Sequence, residues 1–380
     1  MHNPQTISVA NAVFWRISAF YLFYFAIIGV YVIFFPKALQ MAGYGSGQIG
    51  VLLSAAPLMR FIVPFFFLKH INLDRRSFLL SLLILSFSVL LFYPALPHFW
   101  LLLAVNLLFG AAISVSLPYI EAHALEVLQR KVYGRARLFG SIGFMLIALW
   151  LGKVLQTPMD ALHYLAATTI LTALSGAAVV WGSERETKER RRDSGEGFSV
   201  LKYWPLWLGF FLMQVSFGGF YNFFTIYETS HGISLEMTSW LWSFGVLCEI
   251  VMLYFQGPLL HKNLLVILRI TIFATAIRWL LLWLYPDSLP MTFFAQSLHA
   301  LSFALYHSTA ITLLFLLYRQ KALAQQFFLG ISYGLGGFVG AIVAGQIYGE
   351  HLFLVESVIA FAAFAILLKE RSSQFRGLKA

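Results

Sequence analysis

Eight ionisable side chains stand out inside long apolar stretches of this sequence: Arg16, Arg60, Glu121, Glu249, Arg269, Arg278, His299 and His307. A charge at the centre of a bilayer costs at least ~2.5–3.5 kcal/mol, so each needs a partner or a wet cavity. Arg60, Glu121, Glu249 and Arg278 fall on four different apolar segments, an arrangement that suits a central cavity better than one local bridge. The ordinary reading is an ion pair that holds helices together. The functional reading is a pair that exchanges partners. A carboxyl that takes a proton releases its Arg to hold a substrate anion, and Glu249 with Arg278 is the first candidate for that exchange. On this reading Glu249 and Glu121 carry or sense the proton, while Arg278 or Arg60 meets the substrate. Arg16 and Arg269 sit near segment ends, from which their long stems reach the interface.

Gln296, His299, Phe303 and His307 follow one another at spacings of three, four and four, which places them on one helical stripe. The stripe lines a cavity or packs against a neighbour. A metal site is not expected, because the two His are more than two turns apart. Gln214, Gly218, Tyr221, Thr225 and Glu228 share one face of another segment, with Asn222 beside it, and Tyr21, Tyr24, Tyr31 and Phe35 form a similar stripe near the start. Aromatic residues make up 17% of the chain, so ring packing is their ordinary role. The sharper reading is a wall of rings and a few polar groups (Tyr24, Tyr31, Gln214, Tyr221, Asn222 and Gln296) suited to a ring-shaped ligand.

The elements that must position these residues follow from composition. Hydrophobic residues are 60% and charged residues 11%, against about 25% charged in soluble domains. Such a chain cannot cover a water-facing surface, so lipid is its solvent, and only helices or closed barrels satisfy the backbone there. The apolar runs are continuous over about 20 residues, the length of a spanning helix. They fall at 13–40, 46–68, 76–96, 98–129, 135–156, 161–183, 203–231, 235–258, 263–285, 289–318, 323–350 and 351–370. The fold expected is all-α, with about twelve transmembrane helices.

The net charge of +10 is a matter of placement. Lys69, Arg75, Arg76, Arg130, Lys131 and Arg135, the central loop and the tail (Lys369, Arg371, Arg376, Lys379) alternate with loops such as 43–47, 94–98 and 286–290, which have no Lys or Arg. This is the positive-inside pattern, and it puts both termini in the cytoplasm. It also argues against nucleic acid as a partner. Met1 to Phe14 has no Lys or Arg, so no signal peptide is expected, and Cys248 alone allows neither an internal disulfide nor a cysteine metal site. No P-loop, GxSxG or HExxH motif is present, so neither a nucleotide-driven pump nor soluble-type catalysis has a seat.

The charged stretch Glu184 to Gly197 reads as a tether. It divides the chain into a six-helix bundle at 1–183, a cytoplasmic linker at 184–202, and a second six-helix bundle with a basic tail at 203–380. The halves repeat. Leu52, Ser54, Leu58 and Arg60 correspond at one offset to Leu241, Ser243, Leu247 and Glu249; Gly29-x-Tyr31-x-x-Phe34 corresponds to Gly219-x-Tyr221-x-x-Phe224; Gly140, Gly143 and Phe144 correspond to Gly334, Gly337 and Phe338. Such duplication marks alternating-access transporters with a site near the midplane. The glycines of 330–349 recur at the spacings of close helix packing.

Leu117-Pro118-Tyr-Ile-Glu121-Ala122, Tyr133-Gly134-Arg-Ala-Arg137-Leu138-Phe139-Gly140-Ser141, Leu241-Trp242-Ser243-Phe-Gly245-Val-Leu-Cys-Glu249, Ile277-Arg278-Trp279 and Gln296-Ser-Leu-His299 through His307 resemble the phenylpropionate permease-like branch of the major facilitator superfamily. That branch is similar to lactose permease and nucleoside–proton symporters. The resemblance implies two six-helix bundles around a central cavity and proton-linked uptake of a small aromatic carboxylate across a bacterial inner membrane. It places Glu121 in substrate binding, and Glu249, Arg278, His299 and His307 in binding and proton coupling. Two departures stand out. The acid that lactose permease-like proteins carry one turn after the helix-ten His is Ala310 here, and the Gly-rich basic loop is reduced to Leu73-Asp74-Arg75-Arg76. The expected partners are a small-molecule substrate, protons and membrane lipids, in a monomer or weak oligomer. No cofactor is expected, the proton gradient being the driving force. A nucleoside or sugar symporter is the rival within the class, in which Glu121, Asn222 and Gln296 would matter more than Arg278. A membrane-embedded enzyme or a receptor is the rival outside it.

Overall fold

The computed structural model describes residues 4–69, 73–128, 130–181 and 198–370. Most of the linker expected at 184–202 and the basic residues Arg371, Arg376 and Lys379 of the tail lie outside the described residues.

Continuous apolar sequence becomes helix because in lipid the backbone must satisfy itself. Among the described residues ten helices are long and apolar enough to span: α1 (Asn11–Met41), α2 (Ser46–Pro64), α3 (Arg75–Ala95), α4 (Phe99–Val127), α5 (Val132–Val154), α6 (Pro158–Trp181), α8 (Leu235–Phe255), α9 (Leu264–Leu284), α10 (Leu289–Leu317) and α11 (Lys321–Ile347). Two further segments complete the expected twelve. One is a broken helix, α7a (Trp204–Val215) and α7b (Gly218–Ser230), and the other is the shorter apolar helix α12 (Leu352–Leu367). The protein is an all-α membrane protein.

Two compact units emerge: Met1–Tyr44 with Ile62–Arg190, and Gly45–Phe61 with Arg191–Ala380. The first part of α2 therefore groups with the later helices rather than with its neighbours in sequence. Glycine explains the fit. A Cβ on Gly50 would stand 2.5 Å from the Ala341 carbonyl and 2.9 Å from Gly345 Cα, so only the bare backbone allows this approach.

In unit 1, α1 packs on α5 and α6, and α3 packs on α4 and α6. Its core is a run of rings, with Phe78 stacked on Tyr119 at 4.3 Å and Tyr31 between Phe35 and Phe109. In unit 2, α12 packs on α9 and α7a, α8 on α10, and α7b on α11.

Three spanning helices are interrupted by π-helical turns, at Val30–Phe34 in α1, Ala300–Leu305 in α10 and Leu329–Gly336 in α11. Such turns widen the backbone and re-aim side chains. The break in α7 is sharper. Ser216 and Phe217 sit near ψ of −7° and 0°, and the helix restarts at Gly218. Gly218 lies against the Gly340 carbonyl and leaves no room for a side chain.

Candidate functional site

Arg278, on α9, is completely buried. Its guanidinium donates Nη2–H to Gln296 Oε1 (2.7 Å) and Nη1–H to His299 Nδ1 (2.9 Å) and Ser302 Oγ (3.1 Å). All three acceptors lie on α10 in or just before the π turn, which brings them to one side of the same helix. The cation also lies over the rings of Phe220 (4.2 Å) and Trp279 (4.6 Å), with Phe217 at 6.0 Å. A cation over an aromatic face is held by the ring quadrupole, most strongly where water is excluded.

The Arg278 contact fixes the tautomer of His299. Arg has only donors, so Nδ1 accepts and the ring proton of a neutral imidazole sits on Nε2. That Nε2 faces Glu249 Oε2 at 3.8 Å. The exchange pair expected from sequence, Glu249 with Arg278, is therefore not in direct contact. His299 stands between them, because α8 and α9 each meet α10 at this level. The Glu249 side chain keeps 19% of its surface, against 8% for His299. Arg60 and Glu249 act together on the Tyr221 and Tyr333 hydroxyls, so Arg60 belongs to the same neighbourhood in unit 2.

The α10 stripe holds as a ring column. His299 stacks on Phe303 (5.2 Å) and Phe303 on His307 (6.3 Å), and His307 Nδ1 bonds the Tyr333 hydroxyl at 3.0 Å. Tyr221 stacks on Phe217 at 5.3 Å, beside the Arg278 ring wall. Asn222 donates to the Gly218 carbonyl at 2.7 Å, so its amide braces the α7 break. Gln214 is buried against Gly336 of α11.

Tyr24 and Tyr31 are placed elsewhere. They lie in the buried core of unit 1, where Tyr24 donates to the Ile113 carbonyl (3.3 Å) and Tyr31 to Asn106 Oδ1 (2.8 Å). Glu121, also in unit 1, meets Arg137 Nε at 3.5 Å, and that guanidinium covers Phe25 at 4.0 Å. Both side chains keep about a third of their surface (37% and 34%), so the pair is the accessible ionic element of that unit among the described residues.

Two functional-type residues escape the sequence argument. Arg137 stands in a motif but has nothing in its spacing to name Glu121 as its partner. Glu356 lies in an apolar helix and meets the same cost criterion as the other buried charges. It is 2% exposed, and its Oε1 accepts the Gly219 N–H at the restart of α7b. Among the described residues no group of three His, Cys, Asp or Glu is disposed to hold a metal.

Comparison with known proteins agrees with this architecture. A relative from Escherichia coli (strain K12), named "Probable 3-phenylpropionic acid transporter", is 25% identical over 90% of this chain and 94% of its own length. An uncharacterized transporter of Bacillus subtilis (strain 168) is 24% identical over 97% of this chain and 95% of its own. The crystal structure of the nucleoside transporter NupG superposes with a TM-score of 0.73 at 15% identity, covering 94% of this chain and 100% of that one. The fold is thus that of major facilitator transporters, with two pseudo-symmetric six-helix bundles, and the protein is a multi-pass membrane transporter of a small molecule rather than an enzyme. The family model described as "MFS_1 like family" matches residues 14–360, and the chain belongs to that family.

Proposed function

We propose that this protein is a proton symporter that carries a small aromatic carboxylate, of the phenylpropionate type, into the cell across a bacterial inner membrane. The observation that carries the reading is the setting of Arg278: a fully buried cation walled by Phe217, Phe220 and Trp279, whose side-chain hydrogen bonds all go to neutral acceptors. Neutral hydrogen-bond partners do not compensate a buried charge. A ligand carboxylate does, and the rings supply an apolar face for a phenyl group. The relative's name points to the same ligand class. Glu249, the more accessible end of the Glu249–His299–Arg278 row, exchanges protons with water. Glu121, paired with Arg137, and His307 on the ring column remain candidates for sensing the proton and the substrate.

A second reading is a proton-coupled nucleoside symporter. Gln296 favours it, since its Nε2 is buried without a hydrogen-bond partner and offers a donor to a base or sugar.

The test is uptake of labelled 3-phenylpropionate into proteoliposomes under an inward proton gradient. About one pH unit corresponds to about 1.4 kcal/mol, so one coupled proton supports about tenfold accumulation. Accumulation that collapses with a protonophore is the expected result. Uptake of uridine in its place moves the assignment to the second reading, and no gradient-driven uptake of either overturns proton symport of both classes.

A further inference from the structure

The α10 ring column ends on a polar pair. His307 Nδ1 and the Tyr333 hydroxyl lie 3.0 Å apart. Phe303 stands between this pair and His299, its ring centroid 5.2 Å from His299, 6.3 Å from His307 and 6.4 Å from Tyr333. Phe303 belongs to the π turn of α10 and Tyr333 to that of α11. Such turns recur at functional sites, and here two of them bring their rings together. Phe328 closes the back of the pair. It is completely buried, 5.6 Å from His307 and 5.7 Å from Tyr333. Phe303, His307 and Tyr333 each keep part of their surface, so one edge of the column is packed and the other is open.

A phenol is a stronger hydrogen-bond donor than a neutral imidazole N–H. Tyr333 therefore donates to His307 Nδ1, and the ring proton of His307 sits on Nε2. A hydroxyl oxygen has two lone pairs, so Tyr333 can accept a hydrogen bond while it donates one. The column thus presents an acceptor beyond an aromatic face. Spacing decides what reaches it. Eight residues separate His299 from His307, roughly 12 Å of helix rise. In a phenylpropionate with a hydroxyl at ring position 4, carboxylate and hydroxyl oxygen are about 9 Å apart by ordinary bond lengths. An O–H···O hydrogen bond adds about 2.8 Å. With the carboxylate beside Arg278 and His299, the ring lies along Phe303 and the hydroxyl meets Tyr333. An unsubstituted ring lies along Phe303 as well, but it stops short of that acceptor.

We propose that the ligand is a 4-hydroxyphenyl carboxylate, and that Tyr333, held in place by His307, accepts the hydrogen bond of its ring hydroxyl. Phe303 is the face against which the ring rests. This rests on the aromatic-carboxylate reading above, and it names the substituent that the site selects.

Equilibrium binding of three acids to the purified protein tests it: 3-phenylpropionate and its 4-hydroxy and 2-hydroxy derivatives. One neutral hydrogen bond is worth about a three- to tenfold difference in affinity, and the 4-hydroxy acid should bind more tightly than the unsubstituted acid by that factor. The 2-hydroxy acid carries the same donor beside its chain, out of reach of Tyr333, and should show no such gain. In Tyr333→Phe the 4-hydroxy and unsubstituted acids should bind alike. A general loosening of the fold would weaken both and leave their ratio in place. If that variant does not fold, the comparison of the two isomers on the native protein decides. Equal affinity for the 4-hydroxy and unsubstituted acids, or an equal gain from the 2-hydroxy group, overturns the proposal and leaves the aromatic-carboxylate reading standing. A preference for the 4-hydroxy acid that survives in Tyr333→Phe does the same. No binding of any of the three acids overturns that reading and this one with it.

Discussion

A guanidinium with three side-chain acceptors is a stricter device than a point charge. Lys at position 278 cannot reach Gln296, His299 and Ser302 together, and it leaves a buried acceptor unpaired. Removing a hydrogen bond to a charged group costs about 1.5–3 kcal/mol, so Arg278→Lys should weaken 3-phenylpropionate binding about ten- to a hundredfold. Equilibrium binding to the purified variant measures this, and unchanged affinity would remove Arg278 from the ligand. Glu249→Gln makes the companion case. It should abolish uphill uptake while downhill exchange stays measurable, since the accessible end of the row no longer titrates. Persistent uphill uptake in that variant takes Glu249 out of the coupling. How much of this was legible differs from residue to residue. Gln296, His299 and His307 were legible from spacing, because helical periodicity puts them on one face. Glu356 was equally visible as an acid in an apolar run. Its partner was not, since an amide at a helix break leaves no mark in side-chain pattern. Tyr24 and Tyr31 were legible only as a stripe. A stripe of rings looks the same whether it faces a cavity or, as here, the Ile113 carbonyl and Asn106 inside a core.

At the scale of the element, hydropathy locates the helices but not their interruptions. The π turns and the α7 break conserve an apolar pattern while changing backbone phase, so composition passes over them. The Gly218-Gly219 doublet was the available signal, and its meaning came only with Gly340 and Glu356 in place. The opposite case is the start of α3. Leu73-Asp74-Arg75-Arg76 is reduced as a basic loop, yet it does a local task. Asp74 caps the helix, accepting the Ser77 N–H at 2.8 Å, while the Ser77 hydroxyl accepts the Asp74 N–H at 2.9 Å. Burial pushes the Asp74 carboxyl up, but the Ser77 hydrogen bonds and Arg76 outweigh it and hold the group below its ordinary value. A depressed carboxyl stabilises the fold fully above its unfolded pKa, and that contribution disappears as pH falls through the folded one. Asp74→Ala should therefore cost about 1 kcal/mol at neutral pH. Thermal unfolding in detergent should show the deficit at pH 7 and a smaller one as the acid limit of the native protein is approached. A deficit that does not shrink on acidification would assign the loss to something other than the carboxylate.

At the scale of the whole molecule, duplication gives meaning to positions that are weak alone. Arg60 and Glu249 occupy matching places in the two repeats, and the charges of both act on Tyr221 and Tyr333. Gly29 and Gly219 match as well, and each admits a close neighbour: a Cβ on Gly29 would stand 2.6 Å from Ile147, and one on Gly219 against Glu356. The first helix of each half is disturbed within about one turn of this glycine, by the π turn that starts after Gly29 and by the α7 break that precedes Gly218. The repeat was legible because it keeps small residues where backbones or carboxylates must approach. The grouping of Gly45–Phe61 with the later helices was not, since chain order assigns α2 to the first half. Orientation is the remaining whole-molecule property, and it rests on where Lys and Arg fall. The loops at 43–47, 94–98 and 286–290 have neither, whereas the linker is dense in both, so the linker and the two termini should face the cytoplasm. Cys248 is the single native cysteine, so Cys248→Ser gives a clean background for testing this. His98→Cys, at an exposed site between α3 and α4, should react with a membrane-impermeant maleimide in right-side-out vesicles or spheroplasts, while Ser194→Cys should react only after the membrane is opened. The reverse pattern would invert the topology. It would leave the proposed uptake unchanged in direction, because the proton gradient and not the orientation of the chain sets which way a symporter accumulates its substrate, whereas the basic loops alone fix which side the helices face.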